Sequence, residues 1–79
     1  MRLDKYLKVS RLIKRRTIAN QACDAGRVLI NGKVAKASTA VKIGDVITIQ
    51  FGNKEVKAEV LGILATSKKE EAKELFRYL

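Results

Sequence analysis

Arg2, Lys5, Lys8, Arg11 and Lys14 recur at every third position, and Arg15 and Arg16 follow at once. A single carboxylate, Asp4, lies among these seven cations. Side chains of this type and density do one kind of chemistry well: they bind phosphate. A guanidinium matches two phosphate oxygens at a time, and the start of a helix adds free N–H groups and a positive dipole end. Arg27 and Lys36 extend the set, so the candidate phosphate-binding residues are Arg2, Lys5, Lys8, Arg11, Lys14, Arg15, Arg16, Arg27 and Lys36. A solvated cationic face is the alternative for any one lysine, because most surface charges do nothing specific.

No other constellation carries chemistry. With no His and one Cys, neither a Cys and His zinc site nor an internal disulfide can form, and no metal or cofactor is expected. Cys23 reads as a small buried residue rather than a redox sensor. Asp4 reads as structural, favouring the helix dipole and orienting a neighbouring arginine. Asp45 after Gly44 is a turn residue. Glu70, Glu71 and Glu74 beside Lys73 and Arg77 form a solvated helical face, with no isolated acid and base pair. No catalytic set emerges, and an enzyme is not expected.

The chain has 79 residues, 47% of them hydrophobic, and a formal net charge of +9. One small domain is expected, able to bury about 60% of the surface its unfolded chain exposes. So little chain leaves no room for a deep walled pocket. The charge is one-sided: residues 1 to 36 hold ten basic and two acidic residues, whereas residues 37 to 79 hold seven and six. A field concentrated in one half attracts polyanions, either nucleic acid or anionic lipid. The amino-terminal residues interleave charge with apolar side chains and form no secretory signal. Val60 to Ala65 is far shorter than the roughly 20 residues a membrane span requires. A lone thiol suits a reducing cytoplasm.

These side chains must be positioned by a few short elements. Leu3, Tyr6 and Leu7 at helical spacing predict an amphipathic helix over Arg2 to Val9, with Arg2, Lys5 and Lys8 outward. Thr17 can cap a second helix over Ile18 to Ala25, with Ile18 and Ala22 inward and Gly26 as its stop. Val28 to Ile30, Asn31-Gly32 and Lys33 to Ala35 predict a hairpin on a type I′ turn. After a turn at Ile43 to Asp45, strands are expected over Val46 to Phe51 and Val56 to Leu61, with Ile47, Ile49 and Phe51 sharing a face. Ser67 with Glu70 reads as a capping box, and Ala72, Leu75, Phe76 and Leu79 as the apolar stripe of a closing helix. The fold class is α+β: two helices on a small, mostly antiparallel sheet of four or five short strands, in one domain over residues 1–66, with a helical tail over 67–79.

Of the four aromatics, Phe51 and Phe76 fall on core-facing positions, which leaves no aromatic row for stacking bases. Contact with the backbone of folded RNA or a duplex is therefore expected, with recognition by shape. Neutralising about five phosphates would give a log–log salt slope near −4.5 on duplex DNA, and a shallower one on RNA.

The order R-L-D-K-Y-L at Arg2 to Leu7, S-R at Ser10, R-R-T at Arg15 to Thr17, G-R-V-L-I-N-G-K at Gly26 to Lys33 and G-D-V-I at Gly44 to Ile47 resembles the S4-type RNA-binding domain. The match spans residues 1 to about 50. The resemblance implies two helices and a hairpin forming an RNA-binding surface on the alpha-L fold. Through K-A-S at Lys36 and K-K-E-E-A at Lys68, the likeness extends to short bacterial members of ribosome-associated quality control, which lack the C-terminal extension of their heat-shock relative. It implies a cytoplasmic monomer that binds large-subunit rRNA and peptidyl-tRNA on obstructed large ribosomal subunits. There an RqcH-type tailing factor would extend the stalled chain with alanine. By carry-over Arg2 and Arg16, then Lys5, Arg11 and Arg15, are the foremost backbone contacts.

Three other readings compete. A membrane-surface or adaptor module is disfavoured by a short first helix with no Trp or Phe on its apolar side. An RNA-modifying enzyme lacks a nucleophile, base or cofactor motif. A general S4 protein of ribosome assembly or subunit recycling is the runner-up.

Overall fold

Leu3, Tyr6 and Leu7 bury completely on one side of the first helix, α1 (Leu3–Val9), as their spacing requires. The computed structural model describes residues 1–64 and 68–79. After α1 the chain bends at Arg11, in the left-handed region at φ 63°. Ile13, buried, then donates its N–H to the Leu7 carbonyl (3.1 Å). The second helix, α2 (Arg16–Asp24), packs on α1.

This helix differs from expectation at its start. Arg15, in an extended conformation, occupies the cap position without a side-chain cap bond, and Thr17 already lies within the first turn. Ala19 and Cys23 face the core, whereas Ile18 is 49% exposed. Ile18 lies about 100° around the helix from Ala19. The small pair, one turn apart, is what allows close approach to α1. At the other end Gly26 stops the helix as expected: at φ 74° its N–H reaches the Cys23 carbonyl (3.0 Å), and that of Arg27 reaches Ala22 (3.0 Å).

Five strands follow: β1 (Val28–Ile30), β2 (Lys33–Val34), β3 (Val46–Phe51), β4 (Lys54–Val60) and β5 (Phe76–Tyr78). They form one antiparallel sheet in the order β2-β1-β3-β4-β5. The expected hairpin is present, with Asn31 and Gly32 both at positive φ and Ile30 paired with Lys33. Asp45 is the turn residue foreseen, accepting the Lys42 N–H (2.9 Å) and the Asn31 amide (3.1 Å). β4 begins at Lys54, two residues before the expected start, because Gly52 at φ 55° lets Phe51 pair directly with Lys54. Phe51 shares the face of Ile47 and Ile49, yet it stands 46% exposed because the core cluster stops at Ile49.

The C-terminal residues depart most from expectation. The third helix, α3, covers only Lys69–Ala72, and Phe76–Tyr78 is a strand paired with β4. The Leu75 carbonyl, which a longer helix would offer to Leu79, instead accepts the N–H groups of Leu61 (2.8 Å) and Gly62 (3.1 Å) and the Tyr6 hydroxyl (2.6 Å). The Leu79 N–H goes to Lys57 (3.0 Å). Ser67 of the expected capping box lies outside the described residues; one position on, the Glu71 carboxylate accepts the Lys68 N–H (3.3 Å). Arg77 pairs across strands with Glu59 (2.7 Å) instead of along a helix.

Leu3, Leu7 and Ala19 from the helices, Val28, Ile47, Ile49 and Val60 from the sheet, and Leu75 make one core. Each large side chain in it contributes about 1.5–3 kcal/mol. The Tyr6 hydroxyl, buried among them, is pushed up to about 12 by desolvation. Tyr6→Phe removes its bond but leaves the Leu75 carbonyl with two other donors. We expect a loss of about 1 kcal/mol, read as a lower urea midpoint with unchanged slope.

Candidate nucleic-acid interface

Asp4 sits in the first turn of α1, only 2% exposed, in the half of the chain richest in cations. A buried carboxylate is costly unless donors surround it, and this one has four residues donating to it. The Lys5 N–H approaches Oδ1 at 2.8 Å, Arg2 Nε the same oxygen at 3.2 Å, and Asn20 Nδ2 and Arg16 Nε approach Oδ2 at 3.3 and 3.5 Å. Burial pushes the Asp4 carboxyl up; the Asn20 amide, the Lys5 N–H and the Arg16 and Arg2 charges outweigh it, and the net shift is down. Its structural reading is borne out.

Two guanidiniums share this one carboxylate, so the trio keeps a net positive charge. The Arg2 and Arg16 side chains remain 52% and 47% exposed. Arg2 gives Asp4 its Nε and one terminal nitrogen, the latter at 3.4 Å, and Arg16 gives its Nε. A terminal nitrogen on each is left for oxygens outside. Arg2 is fixed from the backbone as well: the Leu3 N–H donates to Thr39 (2.8 Å), the Asp4 N–H to Ala37 (3.1 Å), and the Val41 N–H to Met1 (2.9 Å). This strap brings Arg2 beside Lys36, and both line a groove between α2 and residues 34–38. A second cleft, over the first turns of α2, is lined by Asp4, Arg16, Thr17, Asn20 and Gln21.

Lys5 is half-buried and Lys8 exposed on α1. Arg11, Lys14 and Arg15 are exposed on the bend into α2, and Arg27 is exposed just past its end. Among the described residues none of these six enters an ion pair. The network thus unites Arg2 and Arg16, and the groove adds Lys36. Asn20 is the residue the sequence reading missed, bonding Asp4 and bordering both clefts. Its signal was the polar stripe Thr17, Asn20, Gln21 and Asp24 at helical spacing.

Cys23 is buried as expected, and desolvation with the Asp4 and Asp24 charges pushes its thiol up to about 11. Among the described residues no group of three potential metal ligands occurs, and no helix is long and apolar enough to cross a membrane.

Two helices joined by a cationic bend, laid on a small antiparallel sheet, define an RNA-binding class of domain. The chain belongs to the S4 domain family, which it matches over residues 1–47. Within that family it is 57% identical, over 76 residues, to the RQC P-site tRNA stabilizing factor of Halalkalibacterium halodurans, covering 96% of this chain and 86% of that one. It is 56% identical to the factor of the same name from Bacillus subtilis, over all of this chain and 92% of that one. Heat shock protein 15 of Vibrio cholerae, described as trimeric, superposes with a TM-score of 0.91 at 35% identity, over 100% of this chain and 81% of that one. The expected likeness to short bacterial members of ribosome-associated quality control is borne out.

Because Asp4 titrates below the ordinary aspartate value of 3.8, its stabilisation is present above that value and is lost as pH falls through the folded value. We expect Asp4→Asn to cost about 1–2 kcal/mol at pH 7. The gap between variant and parent should close as unfolding is followed below about pH 4.

Proposed function

We propose that this protein is a non-catalytic RNA-binding factor of ribosome-associated quality control, holding peptidyl-tRNA on large ribosomal subunits that retain a stalled nascent chain. The observation that carries it is the pair of half-exposed guanidiniums, Arg2 and Arg16, fixed on one buried carboxylate. It joins the one-sided charge and the close relatives named for stabilising P-site tRNA.

The physics is that of a clamp. A small rigid body, 28 by 24 by 22 Å, with cations on α1, the bend and the loop at Lys36 can meet two phosphate backbones at once. Binding to either one raises the effective concentration of the other. On this reading the clamp holds large-subunit rRNA and the tRNA together while an RqcH-type tailing factor adds alanine. The protein acts in the cytoplasm as a monomer, and its nine candidate cations, from Arg2 to Lys36, grip the sugar-phosphate backbones.

Charge reversal at Arg16 would set a second carboxylate against Asp4, so neutral variants test the site more cleanly. Arg2→Gln and Arg16→Gln should each weaken co-sedimentation with large subunits by about tenfold and flatten the salt slope by about 0.7 for each phosphate no longer neutralised. Lys54→Gln, on the other half of the chain, should change neither. Unchanged gradient profiles for both arginine variants would count against the site. Crosslinking in cells that recovers rRNA without tRNA would favour a role in subunit assembly or recycling.

A further inference from the structure

Asp24 is the carboxylate that the network does not use. It ends α2, where helix carbonyls already make the potential negative, and no basic residue shares that last turn. Among the described residues its side chain makes no ion pair or hydrogen bond. Exposed to solvent, it lines the groove with Arg2 and Lys36, two of the cations proposed to meet phosphate. An idle carboxylate there would repel the ligand that its neighbours attract.

A ligand that satisfies all three side chains carries an anion and a hydrogen-bond donor, and a pair of donors fits both oxygens of Asp24 at once. A nucleotide does so if its base is guanine. Guanine presents N1–H and N2–H side by side, in register with both oxygens of a carboxylate. Adenine and cytosine present a donor next to an acceptor, and uracil a donor between two carbonyls, so each would set a lone pair against Asp24. The rest of the groove offers a base an apolar wall. Val34 is 65% exposed there, and Gly26 lies so near that a Cβ on it would stand 3.9 Å from Val34 Cγ1. Asn20 gives its amide nitrogen to Asp4, which leaves its carbonyl oxygen as a further acceptor.

We propose that the groove between α2 and residues 34–38 takes up one unpaired guanosine of the bound RNA, its Watson–Crick edge on Asp24 and its phosphate on Arg2 and Lys36. This rests on the RNA-binding reading and adds base selection to it. Only an unstacked base can present that edge, so the nucleotide must come from a loop, bulge or junction.

The test is chemical probing of large ribosomal subunits that carry peptidyl-tRNA with kethoxal, which attacks N1 and N2 of unpaired guanosine, reading both rRNA and tRNA, with the protein added to saturation and binding confirmed by co-sedimentation. We expect the parent chain to lower reactivity at one unpaired guanosine about tenfold, and Asp24→Asn, folded by circular dichroism, to leave that guanosine reactive. Loss of co-sedimentation by the folded variant would support the site equally, since removing an idle carboxylate from a phosphate-facing surface tightens binding. Co-sedimentation without any protected guanosine, or protection unaltered in Asp24→Asn, would overturn it. Saturable binding of free GMP that depends on Asp24 and displaces no RNA would also overturn it, by assigning the groove to a mononucleotide. A parent chain that fails to co-sediment at all would overturn the RNA-binding reading itself.

Discussion

A carboxylate nearly sealed from water between two arginines is the constraint on which the cationic surface depends. An isolated buried charge costs several kcal/mol, so Asp4 is tolerable only while its donors stay in place. The dependence runs both ways. Free arginines on an exposed face would spread over many rotamers, and ordering them at the moment of binding would consume part of the binding free energy. Asp4 orders two of them beforehand, and Asn20 ties that arrangement to α2. The interface is therefore a property of both helices together.

The same helix face is also held from beneath and from the side. Residues 1–4 are laced by backbone bonds to residues 37–41, which sets the position of Arg2 relative to Lys36. Below them the Tyr6 ring lies in the core, with its hydroxyl on the Leu75 carbonyl. A domain of this size has few layers, and α1 serves the core and the candidate site at once.

Much of this was legible in the sequence because it rests on local rules. The inward row of α1, the stop at Gly26 and the Asn31-Gly32 turn follow from spacing and from conformations that few residues adopt. The cationic surface was legible from charge alone. What was not legible depended on partners distant in the chain. Ile18 outranks Ala19 in hydrophobicity, yet packing against α1 selects the smaller residue. Ala72, Leu75, Phe76 and Leu79 do recur at helical spacing, but the carbonyl a helix needs at Leu75 is taken by Leu61, Gly62 and Tyr6, and the segment becomes a strand. Asn20 escaped notice because an uncharged residue shows its worth only beside the carboxylate it bonds.

The bond from Tyr6 to Leu75 joins residues 69 positions apart, and it has a bearing on biogenesis. While the chain is being made, the first helix leaves the ribosome long before the segment that anchors it. Its apolar row is fully covered only once residue 75 has also emerged. The cationic surface that α1 carries is therefore complete only once Tyr6 and Leu75 have met.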